Sequence, residues 1–185
     1  PKPGEIGRAH NGVLLLDGRP EFQRDALEIL RQPMEEGTVT LSRVAGSVTY
    51  PSRFMLVAAM NPCPCGYFGH PTRACRCGPN ILERYLHRVS GPLLDRIDLH
   101  VEVSPVNYDE LRVHQGGEAS VEILKRKLAA RAFHARRCEG RDIYPNAALF
   151  GHSLRHDCAV TAPAAALPKS AFEKMGLSAR GHDRV

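Results

Sequence analysis

Residues 13 to 18 read VLLLDG, and the fold turns on how this stretch is taken. Val13, Leu14, Leu15 and Leu16 form a short apolar run without polar alternation, the pattern of a strand covered on both faces of a parallel sheet. Asp17 falls at its carboxyl end. Open α/β sheets bind ligands just beyond the carboxyl ends of their strands, and a carboxylate there holds Mg2+ directly or through water. A buried strand that simply runs into a turn aspartate has the same pattern, so the stretch needs support from elsewhere in the chain.

That support comes in a fixed order. FMLVAAM, Phe54 to Met60, is a second apolar run and ends on Asn61, whose amide can orient a water or a phosphate oxygen. Between the two runs, Pro20 suits a first helical position, and Phe22, Ala26, Leu27 and Leu30 recur at helical spacing until Pro33 and Gly37 end the helix. Thr38 to Arg43 and Ser47 to Tyr50 are rich in β-branched residues and flank Val44, Ala45 and Gly46, which reads as a β-hairpin. Pro1 to His10 reads as an extended lead-in. Further on, a helix is expected from about Ile81 to Val89, and GPLLDRIDLHVEV places Arg96 just before a third β-like run, Ile97 to Val103. Ala119 to Cys138 is helical in composition, Ala162 to Met175 adds a helix broken at Pro168, and LSAR places Arg180 at the start of another.

Four of the six cysteines fall in one loop. Cys63 and Cys65 form C-P-C-G, and Cys75 and Cys77 form C-R-C. Zinc takes four thiolates tetrahedrally, and Pro64 and Gly66 supply bends that let a pair converge on an ion. C-x-C is nonetheless one residue shorter than the usual knuckle, and residues two apart point to opposite faces of an extended chain. Unligated thiols and redox disulfides therefore stay open beside structural zinc. His70 is a spare potential ligand or a solvated loop histidine, and Cys138 and Cys158 stand alone.

With 43% hydrophobic and 24% charged residues the composition is that of a globular protein, expected to be cytoplasmic, with no apolar run long enough to span a bilayer. The net charge of +5 permits nucleic-acid contact without demonstrating it. Lys125, Arg126, Lys127, Arg131, Arg136 and Arg137 scatter around a helix at a 3.6-residue period, which favours a solvated helix over a DNA-binding stripe. No G-x-x-x-x-G-K-[ST] phosphate loop occurs in the 185 residues.

Taken together, PKPGEIGRAHNGVLLLD, the segment from PEFQRDALEIL through NPCPCG, RCRCGPN and GPLLDRIDLHVEV resemble the magnesium-chelatase-like AAA+ ATPases, specifically the ComM/YifB competence-protein group. The resemblance implies an α/β fold. Residues 1–105 would form part of an AAA+ (P-loop NTPase) three-layer sandwich with a β-hairpin insertion, and residues 106–185 a helical linker and part of an α-helical lid. The family's phosphate loop lies upstream of the position of Pro1, so the chain is expected to be a fragment that is inactive alone.

By the same resemblance, Asp17 matches the Walker B aspartate that serves Mg-ATP, and Gly18 stands where the family has the glutamate that polarises the attacking water. Asn61 matches sensor 1, Arg96 the arginine finger that reaches a neighbouring subunit's nucleotide, and Arg180 sensor 2 of the lid. The alternative for Arg96 is a local salt bridge with Asp95 or Asp98. The hairpin at 38–50 would face the pore of a homo-oligomeric, hexameric ring, with Arg43 near its tip meeting DNA phosphates or remaining an ordinary solvated arginine. ATP, Mg2+ and structural Zn2+ are the implied cofactors. A motor that moves along or remodels DNA is the leading function. A magnesium-chelatase ATPase subunit and a non-catalytic, zinc-stabilised binding or assembly module are the alternatives, the first disfavoured by the cysteine loop and the second favoured by Gly18.

Overall fold

The computed structural model describes residues 2–18, 24–44, 46–106, 108, 112, 116–140, 149 and 151–184. The chain divides into two units, Pro1–Val101 and Glu102–Val185. The first opens with helix α1 (Glu5–Arg8), where an extended lead-in was expected. Strand β1 (Val13–Leu16) follows, then α2 (Arg24–Glu28) and α3 (Arg31–Glu36). The hairpin β2 (Thr38–Arg43) and β3 (Gly46–Pro51) comes next, then β4 (Met55–Ala58), α4 (Pro79–Leu86) and α5 (Gly91–Leu94). Content is mixed α/β, with one two-stranded parallel sheet and one two-stranded antiparallel sheet.

Strands β1 and β4 pair in parallel, Val13 opposite Met55 through Leu16 opposite Ala58. Such a pair cannot be closed by a tight turn, and here α2, α3 and the hairpin make the crossover. The core sits on one face of this sheet. Leu27, Leu30, Val89 and Leu93 are buried together, and Ile6, Leu14, Leu16, Met34 and Phe54 pack against them. Coverage on both faces was expected of β1; instead Val13 and Leu15 are 58% and 65% exposed, because among the described residues helices pack on the Leu14 and Leu16 side only.

Two prolines behave differently from expectation, for one reason. Pro33 does not end a helix but is the third residue of α3, and Pro168 does not break one but is the third residue of the helix Ala166–Met175. In a first turn the missing N–H has no intrahelical acceptor to serve, so proline is tolerated there. The break before Pro33 falls at Ile29 and Leu30 instead, where Leu30 N donates to Leu27 O at 3.2 Å. Gly37 then ends α3 in the left-handed conformation, φ 65°, with its N–H on Pro33 O. A Cβ at Gly37 would lie 2.8 Å from Arg53 Cγ, so that corner is closed to side chains.

The third β-like run does not form a strand. Residues 97–106 have no regular structure, and Leu99, Val101 and Val103 are 82%, 81% and 84% exposed. Their alternation suits a sheet, but a strand exists only with a partner, and no described strand pairs with this segment. The second unit is helical among its described residues. It contains α6 (Ser120–Arg137), a helix at Gly151–Asp157, α7 (Ala166–Met175) and α8 (Ala179–Arg184). Helix α6 buries none of its side chains, Lys125 pairs with Glu122 at 2.7 Å, and its lysines and arginines are exposed except the half-buried Arg137. Pro20 and Phe22, expected to start the first helix, lie outside the described residues.

Candidate functional site

The parallel register sets the first two site residues past the same ends of two paired strands. Leu16 pairs with Ala58, and Ala59 N donates to Leu16 O at 2.8 Å, so the chain leaves both strands at the same sheet edge. Asp17 is the first residue past β1 and Asn61 the third past β4, and both are exposed at the carboxyl ends where an α/β sheet meets ligand. A solvated carboxylate such as that of Asp17 suits a hydrated magnesium ion, whose ligands are oxygens. Gly18 adds no side chain and turns the backbone left-handed, φ 68°. Glu21 lies outside the described residues.

Asn61 is held from behind. The Tyr85 hydroxyl, on the inner side of α4, donates to Asn61 O at 3.1 Å. Tyr85 is buried, as is Val89 four residues on. The sequence reading missed Tyr85, although its spacing from Val89 is that of a helix's inward face.

The three arginines are placed differently. Arg96 lies just beyond α5. Its side chain is 13% exposed, and it donates to Glu35 of α3 and to the Pro92 carbonyl. Glu35 was not foreseen, since it lies sixty-one positions away in the chain. Arg43 is the last residue of β2, exposed, opposite Gly46 and beside the fully exposed Val44. The hairpin beneath it is held by hydroxyl pairs, Thr40 with Thr49 at 2.9 Å and Ser42 with Ser47 at 3.2 Å. Arg180 lies in the first turn of α8, half-buried, and belongs to the second unit.

The four loop cysteines converge. Cys63 Sγ lies 3.3 Å from Cys65 Sγ and 3.7 Å from Cys75 Sγ, Cys65 and Cys75 are 3.5 Å apart, and all four sulfurs, Cys77 included, lie within 4.8 Å of one another. The local fold removes the objection that C-x-C faces two ways. Gly66, at φ 79°, donates its N–H to Cys63 O at 3.0 Å, so the first pair sits on a tight turn rather than an extended chain. Tetrahedral ligation at about 2.3 Å from metal to sulfur sets sulfurs about 3.8 Å apart, and the observed cluster fits around one such ion with small adjustments.

His70 is not part of this group. Its Nδ1 accepts from the backbone N–H groups of Thr72 and Arg73, each at 3.2 Å.

The electrostatics of the cluster are lopsided. Backbone N–H groups of Arg76 and Tyr67, with the Cys63 thiol, stabilise the Cys65 thiolate and lower it to about 6. At Cys75 the Cys77 N–H also favours the thiolate, but burial and the thiols of Cys65, Cys63 and Cys77 outweigh it and push it up to about 12. Cys77 is raised in the same way, against a backbone hydrogen bond at Cys65. One thiolate forms readily and the next is resisted, the behaviour of crowded thiols. Cys138 is buried and Cys158 exposed, both in the second unit. No helix among the described residues is long and apolar enough to cross a membrane.

Comparison with known proteins agrees with this architecture. The profile of the family described as magnesium chelatase, subunit ChlI, matches residues 1–111, and that of its C-terminal region matches residues 117–185. Over its whole length the chain is 39% identical to the competence protein ComM of Haemophilus influenzae. It is 41% identical to YifB of Salmonella typhimurium and to YifB of Escherichia coli. It spans 35% of the length of ComM and 36% of each YifB. A parallel strand pair tipped by Asp17 and Asn61, a hairpin between the two strands and end-to-end similarity to these proteins place the chain in the magnesium chelatase family, among the ComM- and YifB-like members.

Proposed function

We propose that this chain carries the magnesium- and γ-phosphate-reading edge of an ATP-driven motor that works on DNA as a homo-oligomeric, hexameric ring in the cytoplasm. The observation that carries the reading is the placement of Asp17 and Asn61 at the carboxyl ends of adjacent parallel strands. The sheet would then be part of a P-loop sandwich, and the helical second unit part of a lid. Mg-ATP, when bound, supplies the phosphoanhydride to be cleaved and the cation that neutralises its charge. Asp17 would hold the magnesium through its carboxylate, and the Asn61 amide would orient a γ-phosphate oxygen or a water.

Arg96 would act on a neighbouring subunit's nucleotide, where a guanidinium stabilises transition-state charge, and must leave Glu35 to do so. Arg180 would close the lid. Gly18 offers no group to polarise water, so hydrolysis at this site would be slow. Arg43, exposed on its hairpin, would meet the DNA backbone. The cysteine cluster would hold one structural zinc.

One observation favours a second reading. Gly18, which offers no group to polarise water, suits a non-catalytic, zinc-stabilised assembly module. Nucleotide titration and phosphate release separate the two. The 185-residue chain alone is expected to bind no ATP at micromolar concentrations. When it is joined to a phosphate-loop segment, the motor reading requires Mg-dependent turnover that Asn61→Ala reduces at least tenfold; turnover indifferent to Asn61 would favour the module.

A further inference from the structure

The cysteine cluster and the sensor asparagine share a frame that neither reading uses. Cys63 and Cys65 follow Asn61 by two and four residues at the end of β4, while Cys75 and Cys77 immediately precede α4, which starts at Pro79. The four sulfurs therefore bring the segment after β4 and the segment before α4 to within 4.8 Å of one another at the cluster. Six residues into α4, Tyr85 turns back and donates its hydroxyl to the Asn61 carbonyl at 3.1 Å. Tyr85 is buried, and Val89, four residues on, joins the core with Leu27, Leu30 and Leu93. The path from sulfur to helix to hydroxyl to Asn61 closes a loop around the exposed asparagine.

We propose that the metal held by Cys63, Cys65, Cys75 and Cys77 braces Asn61 through α4 and Tyr85, so that Tyr85 is a positioning residue for the site and metal occupancy sets how firmly Asn61 is held. This rests on the zinc and sensor readings above. The physical reason is length. Helix α4 spans Pro79–Leu86, too short to hold its own geometry in water, so its direction depends on what fixes its ends. One end is fixed by the core at Val89 and the other by the cluster. Loss of the metal frees the second end, and the hydroxyl at Tyr85 then loses its fixed approach to Asn61.

The test is NMR relaxation on the 185-residue chain, zinc-loaded and chelated, for the natural sequence and Tyr85→Phe. Zinc-loaded natural chain is expected to keep the Asn61 backbone ordered, with an order parameter near 0.85, falling below about 0.6 on chelation and returning when zinc is restored. Tyr85→Phe keeps the ring and removes only the hydroxyl. It is expected to retain one equivalent of zinc and unchanged α4 amides while loosening residues 59–62 alone, with Ala59 exchanging roughly fivefold faster. A general structural role would instead disturb α4 throughout. An ordered Asn61 in zinc-loaded Tyr85→Phe would overturn the brace and leave the zinc reading standing. A chain that takes up no zinc would overturn the zinc reading and the brace with it. Asn61→Ala turnover tests the sensor reading independently of both.

Discussion

Gly18 shows how one residue can be legible in identity and hidden in shape. The sequence marks it as the position where a water-orienting glutamate is missing, but glycine accepts either sign of φ, so its left-handed turn at 68° could not be read from the chain. Any L-residue there carries a cost of about 1–2 kcal/mol for that conformation. Gly18→Ala and Gly18→Glu are therefore both expected to lower stability by about that amount in urea titration, and an unchanged midpoint would show that the turn is easily remade. A carboxylate restored by Gly18→Glu in a polypeptide with a phosphate loop should raise turnover only as far as the turn relaxes.

Arg96 teaches a related lesson. Local spacing offers it Asp95 and Asp98, yet folding brings Glu35 to it from α3, and pairings at that distance have no local signal. Because Glu35 is 42% exposed, Glu35→Gln is expected to cost less than about 1 kcal/mol in denaturant titration. Arg96→Ala, in contrast, should abolish turnover of an assembled ring while leaving nucleotide binding intact.

At the scale of elements, what could be read depended on whether an element carries its own partner. The hairpin was legible because both strands and the turn lie within fourteen residues, and the observed pairs run from Thr38 with Pro51 to Arg43 with Gly46. Ile97 to Val103 was misread because alternation describes a strand's faces, not its neighbour. The prolines at 33 and 168 were misread because one residue type both opens and closes helices, and only the first-turn position distinguishes the two roles. The hairpin's exposed tip supports a specific expectation. Arg43→Ala should weaken DNA binding of the assembled protein several-fold without changing its oligomeric state, as read by anisotropy and light scattering. The slope of log affinity against log salt should fall by about one per arginine removed from phosphate contact. An unchanged slope would return Arg43 to the solvated surface.

For the whole molecule, the cluster of four thiols gives the most direct metal-content prediction. Protein purified without added zinc should carry about one equivalent, and Cys75→Ser should reduce it, as metal analysis would show. Metal retained in full by a variant lacking all four loop cysteines would place the site elsewhere.

The central claim, however, is that Asp17 and Asn61 serve one magnesium-nucleotide site, a role proposed from their places past the carboxyl ends of the paired strands β1 and β4. The measurement that tests that role most directly is Mg-dependent phosphate release by a polypeptide joining a phosphate loop to these residues, compared with its Asp17→Asn and Asn61→Ala variants. The account requires turnover to fall at least tenfold in each, with Asp17→Asn also shifting the magnesium dependence to higher concentration. Turnover and magnesium dependence unchanged in both variants would contradict it.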